Sequence, residues 1–264
     1  MGRPKLRTTP KTIQKMAKTS PAQRAKWNRQ LRRVSLRAES KARAALVREF
    51  ARAADSWDAG RHFRAVESII SASYNDTANA TYPTAQAMLK GKQARANVDA
   101  ARISWLARVS DWVQKFAQER ARQIARESQR IVTAAIADAA ALGEGQEGGK
   151  KRILEKLSGS IGRSRARTIA RTEIGAAQNM ALSEAAQASG IEYELTWCAA
   201  EDERTRPSHA AADGQTRREG EDFDVGSARL SRPGDPNAPP AESINCRCTL
   251  LIEPVLNDDE SANF

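Results

Sequence analysis

"ARISWLARVSDWVQKFAQERARQIARESQRIVTAAIADAAALGEGQEGG", residues 101–149, decides the fold class. Trp105, Val109, Trp112 and Phe116 recur at i, i+4, i+7 and i+11, and Ile124, Ile131, Val132 and Ile136 continue the stripe with a slight phase drift. Apolar residues at that spacing share one face of an α-helix. Taken from Ala94 to Leu142, the pattern predicts one helix about 70 Å long at about 1.5 Å per residue. Such a rod buries its stripe only against other long helices, so the aromatic residues read as core rather than as a ligand site. The glycine-rich run "GEGQEGG", 143–149, then reads as a linker.

Upstream, Ser20-Pro21 reads as a helix N-cap followed by proline at the first helical position. Trp27, Leu31, Val34, Ala38 and Ala42 follow at spacings of three and four, which predicts an amphipathic helix reaching about Ala59 and ended by Gly60. A second helical piece covers Arg61 to Ser73, and "TYPT", 81–84, breaks the pattern. Downstream the character changes. Lys150–Leu157 is a short helix, "SGSIGRS" a turn, and Ala166–Ser189 a helix stopped by Gly190. "IEYELTWCA" alternates Tyr193, Leu195 and Trp197 on one face, a strand signal. A loop-rich stretch follows to Glu242, and "RCTLLIEPV" closes the fold as a strand.

The fold class expected is therefore α+β: a long-helix N-terminal half followed by a small α+β C-terminal domain with a few short strands. The organisation is a flexible basic arm at 1–20, an α-helical domain at 21–142, the linker at 143–149, the compact domain at 150–255 and an acidic tail at 256–264.

The chain has 264 residues and a formal net charge of +11. Between Met1 and Arg48 there are fifteen Lys and Arg against one acid, Glu39, so the remainder is close to neutral. A basic segment of this kind is attracted to polyanions, either nucleic acid or an acidic protein surface. The residues expected to make that contact are Arg3, Lys5, Arg7, Lys11, Lys15, Lys18, Arg24, Lys26, Arg29, Arg32 and Arg33. Trp27 is the segment's one aromatic before Phe50, which argues against a platform that stacks bases. No apolar run is long enough to span a membrane, and three cysteines are too few and too clustered for a disulfide scaffold.

Three clusters carry the chemistry-bearing residues. In "ARTEIGAAQNMA", 170–181, Arg171 and Glu173 are two apart and point away from each other on a helix, so each needs a partner elsewhere. In "WCAAEDERTRPSHAAADGQ", 197–215, Trp197, Asp202, Arg204, His209, Asp213 and Gly214 follow a strand. The third cluster is Cys246-Arg247-Cys248. His209, Cys246 and Cys248 are zinc-compatible ligand types, with Cys198 or Asp202 available as a fourth. The spacing is not a zinc signature, and the bland reading makes the cysteines small hydrophobes beside a hydrogen-bonded histidine. A thiol, a histidine and an acid are also the parts of a nucleophilic site. No phosphate-binding glycine loop is present, nor a metalloprotease or serine-hydrolase motif.

The ordered series "ARTE … W … DERTR-x-x-H-x-x-x-DGQ … F … PGDP … INCRC", from about Arg163 to Val255, resembles the C-terminal domain of phage Mu F-like head morphogenesis proteins. The resemblance implies a minor head (minor capsid) protein of a tailed phage or prophage, made in the bacterial host cytoplasm and located in the procapsid and virion head. It implies as partners the portal protein, scaffold or major capsid protein, and double-stranded DNA. It implies no catalysis and no required cofactor. Some relatives carry Cys-x-x-Cys where this chain has Arg206 and His209, and a histidine where it has Ser243. This chain keeps part of that set, and Arg171, Glu173, Asp202 and Arg204 then read as a hydrogen-bonded and ionic core. The competing reading is a metal- or thiol-dependent enzyme of virion maturation or DNA entry, acting through His209, Cys246 and Cys248.

Overall fold

A computed structural model describes residues 19–89 and 98–255 of the chain. The expected contacts at Arg3, Lys5, Arg7, Lys11, Lys15 and Lys18, and the acidic tail at 256–264, lie outside the described residues. The class is α+β: long helices first, then a few short antiparallel strands.

Helix α1 is Pro21–Asp55, and Ser20 caps it by accepting a hydrogen bond from the Gln23 N–H at 3.3 Å. It ends four residues earlier than the pattern suggested. Gly60 lies inside the next helix, because Asp58 accepts the Arg61 N–H at 2.6 Å and starts it. Helix α2, Ala59–Leu89, runs on through Pro83. The expected break at 81–84 is absent because this stretch is packed: Thr81, Tyr82 and Ala85 are buried, and the Tyr82 ring lies 4.2 Å from that of Trp105. Burial of an aromatic pair outweighs the lost proline hydrogen bond. Helix α3, Val98–Ala141, carries the aromatic stripe, with Trp105, Val109 and Val113 buried and Trp112 and Phe116 packed beside them.

The linker expected at 143–149 is a turn and the start of a helix. Gly143 and Gly145 take left-handed backbone angles that reverse the chain, and α4, Gly145–Ile153, folds back along α3. Two fork hydrogen bonds of 2.6 Å from Arg152 to Glu144 fix the reversal, and Lys156 reaches Asp138 of α3 at 2.7 Å. A π-helical turn, Leu154–Ser158, leads into α5, Ser160–Ala188. Helix α5 begins inside the segment expected as a turn. Gly162, Ala166, Ala170 and Ile174 recur every fourth residue and are all buried, so a seam of small residues continues the helix backwards.

The remaining elements are β1 (Tyr193–Cys198), α6 (Pro207–Ala212), β2 (Thr216–Arg218), β3 (Phe223–Val225), β4 (Ala228–Leu230), α7 (Pro240–Ser243) and β5 (Thr249–Pro254). Antiparallel strands in the order β2-β1-β5 form one sheet, with Leu195 opposite Ile252 and Cys198 opposite Thr249. Strands β3 and β4 form a separate hairpin. A single apolar cluster joins Leu31, Leu46 and Phe50 of α1 to Ile174 and Met180 of α5 and to Leu250 and Ile252 of β5. The two expected halves therefore share one core, with α5 at its centre. Among the described residues no helix is long and apolar enough to cross a membrane.

Candidate functional site

Each face of α5 binds a different part of the molecule, which explains the first motif. Arg171 Nε lies 3.5 Å from Glu39 of α1. Thr172 Oγ1 accepts the Asn245 N–H at 3.0 Å. Glu173 accepts from the Tyr74 hydroxyl of α2 and lies 3.7 Å from Arg120 of α3. Gln178 donates to the Leu31 carbonyl at 2.8 Å and accepts from Ser35 at 2.8 Å. Asn179 donates to the Cys248 carbonyl at 3.0 Å and accepts the Leu250 N–H at 2.9 Å, clamping the entry to β5. Burial raises the Glu173 carboxyl above its ordinary range, with Arg120 and Tyr74 opposing.

The second and third motifs pair with each other. Asp202 is gripped by both guanidinium nitrogens of Arg247, Nη2 at 2.6 Å, and accepts the Arg204 N–H at 3.0 Å. The Arg247 bond holds the Asp202 carboxyl down at about 2. Arg206 donates to the Ile244 carbonyl. Asp213 accepts the Ala199 N–H at 2.7 Å, and Gly214, with φ +75°, closes the turn into β2. Arg204 is exposed. Asp202 is thus taken up by an ion pair, and neither it nor Cys198 joins the thiols as a fourth ligand atom.

His209 stands on α6, started by Pro207, and is buried to 2% exposure. Its Nδ1 lies 3.3 Å from the Cys248 sulfur and 3.7 Å from the Cys246 sulfur. Its Nε2 lies 2.9 Å from Glu242 on α7, whose same oxygen accepts from Ser208 at 2.9 Å. Both cysteines are buried and unpaired as disulfides. They sit just before β5 rather than within it, where the chain leaves the left-handed Asn245 in extended form. Trp197 forms the floor, its ring edge-on to His209 at 5.6 Å, and its buried indole Nε1 has no hydrogen-bond partner. Cys248 and His209 hold the Cys246 thiol well below the usual thiol range, while Cys246 and burial push the Cys248 thiol far up. Burial pulls His209 down, but Cys246 more than offsets it and the net shift is upward.

The two sulfurs line one end of a cleft of about 660 Å³ between α1, α5 and the ends of β1 and β5, with Arg29, Arg32 and Arg204 on its walls. Arg24, one of the expected contact residues, is engaged within the chain instead, 2.6 Å from the buried Glu253. Lys26, Arg29, Arg32 and Arg33 are exposed on α1.

Glu242 was missed because nothing in "AESINCRC" marks it; a carboxylate four residues before a cysteine has no sequence signature. His62 was missed as a polar centre as well. It is fully buried between Glu49, 2.7 Å from its Nδ1, and Ser128, 3.0 Å from its Nε2.

Residues 130–251, from the last turns of α3 to β5, match the family model described as Phage Mu protein F like protein. No curated protein and no solved structure matches the chain. The matched segment holds all three motifs and the whole His209 cluster. That likeness points to a phage head morphogenesis protein. Residues 130–251 of this chain are thus similar to the phage Mu protein F-like family.

Proposed function

We propose that this protein is a minor head component of a tailed phage that joins the portal vertex during procapsid assembly and contacts packaged DNA through α1. The family match over 130–251 carries the reading. The site supports it, since Arg171, Glu173, Asp202 and Arg247 are spent on one another and on neighbouring helices rather than presented to a substrate. The exposed Lys26, Arg29, Arg33 and Arg37 recur at spacings of three and four along α1 and form a basic face opposite its buried one. That face suits a line of phosphates.

The test is co-expression with the portal and major capsid proteins, followed by isolation of procapsids. Truncation belongs at residue 18, because a larger deletion removes Trp27, Leu31, Leu46 and Phe50 from the core. Absence of the chain from procapsids assembled in its presence overturns the reading.

A second reading, a thiol- or metal-dependent enzyme of virion maturation or DNA entry, draws on the alignment of Cys246, His209 and Glu242 beside the cleft. Head proteins or DNA cut by the wild-type chain but not by Cys246→Ser would favour it. Identical products from both would remove it.

A further inference from the structure

We propose that His209, Cys246 and Cys248 form a three-ligand zinc site, with Glu242 as the group that orients the histidine. Geometry carries this inference, not spacing, since Cys-x-Cys with one remote histidine is no zinc signature.

The hydrogen bonding sets the tautomer. Glu242 Oε2 faces His209 Nε2 at 2.9 Å, and an ionised carboxylate only accepts, so Nε2 carries the ring hydrogen. Nδ1 is then left with one lone pair, and two sulfurs approach it, at 3.3 and 3.7 Å. A single lone pair satisfies one S–H well and leaves the other thiol to the neighbouring sulfur, a weak acceptor. An ion between the three atoms satisfies all of them. With zinc–sulfur bonds of about 2.3 Å and zinc–nitrogen bonds of about 2.0–2.1 Å at tetrahedral angles, N and S sit about 3.6 Å apart. The observed separations bracket that value, and all three donor atoms lie within 4.8 Å of one another.

Glu242 completes a carboxylate–histidine–metal relay, the usual arrangement behind a ligating histidine. Two thiolates and one imidazole select zinc over hard cations. Among the described residues no fourth side chain joins the three, so the fourth ligand would come from outside them, on the side of the cleft that Cys246 and Cys248 line.

The surrounding fold supplies a reason for a metal. From Ala199 to Cys248 the chain has two helices of six and four residues and three strands of three. Elements so short hold little structure by themselves, and a metal joining α6 to the start of β5 cross-links that segment near its start and at its end.

The full chain, purified without chelators from zinc-supplemented cells, is expected to carry one zinc per molecule by elemental analysis. Replacing zinc with cobalt should give sulfur-to-cobalt charge-transfer absorption and the visible bands of a tetrahedral ion. Cys198→Ser keeps the metal, Glu242→Gln binds it about 10- to 100-fold more weakly, and the Cys246→Ala/Cys248→Ala double variant loses it. Metal-free wild-type protein with no sulfur–cobalt band overturns the proposal, as does zinc retained at full stoichiometry by the double variant. If the double variant fails to fold, the cobalt spectrum of the wild-type chain decides by itself.

Discussion

The Tyr74 hydroxyl of α2 donates a hydrogen bond to the Glu173 carboxylate of α5, at the point where α3 brings Arg120 to within 3.7 Å. One acid thus ties three helices together in a buried setting. Tyr74→Phe removes the donor and leaves the buried acid under-satisfied, so stability should fall by about 1–3 kcal/mol. Urea denaturation of the two proteins measures this. Burial raises the Glu173 pKa above 4.5, so the folded chain keeps a proton that the unfolded chain has released. Stability from this group is therefore greatest at low pH and declines as pH rises from 4.5 through the folded value. Glu173→Gln should abolish that slope.

Gly234 passes against α5 so closely that a Cβ would stand 2.9 Å from the Ala176 Cα, and its φ is +73°. Gly234→Ala should cost about 2–4 kcal/mol, the left-handed backbone and the collision together. Gly220 has φ +80° with open space around it, so Gly220→Ala should cost only the backbone part, about 1–2 kcal/mol. Equal losses in thermal denaturation would show that the approach to α5 carries no weight.

His62 should stay neutral in the folded chain at pH values where a free histidine is protonated. Burial lowers its pKa; Arg165 and Arg52 also lower it, against the opposing pull of Glu49. The unfolded chain takes up the proton first, so stability falls as pH drops through 6.5. Glu49 acts at lower pH: its folded pKa lies below 4.5, and its contribution is lost as pH falls through that folded value. His62→Gln should remove the upper step and leave a lower one, diminished by the loss of the His62 contact to Glu49, as read from melting temperatures between about pH 2 and about pH 8.

Binding of double-stranded DNA should show a log–log salt slope of about 0.9 per neutralised phosphate. The triple change Arg29→Glu, Arg33→Glu, Arg37→Glu should reduce that slope by about 2.7 without altering the circular dichroism, because all three side chains are exposed. Arg24→Ala should act oppositely, lowering stability through loss of the Glu253 ion pair while leaving the slope little changed.

Local pattern made the long helices legible. The i, i+4 recurrence from Trp105 and the cap at Ser20-Pro21 depend on neighbours a few residues away, and they appear in the structure as α3 and α1. The passage of α2 through Pro83 was not legible, because it depends on Trp105 lying beside Tyr82. The glycines at 143–149 mark a reversal of the chain, but composition could not tell a loose tether from a turn stapled by Arg152.

By itself the sequence determined the α+β class, the strands β1 and β5, the likeness of residues 130–251 to the Mu F-like family and the cluster types that bear chemistry. These follow from periodicity and ordered short motifs, which are properties of neighbouring residues. Only the tertiary structure decided which partners those residues have: Glu173 with Tyr74, Asp202 with Arg247, His209 with Glu242 and two sulfurs. Those pairs are separated by 33 to 99 positions, and burial of one apolar core around α5 brings them together. A side chain's partner is set by where the core places it, and no local spacing encodes that.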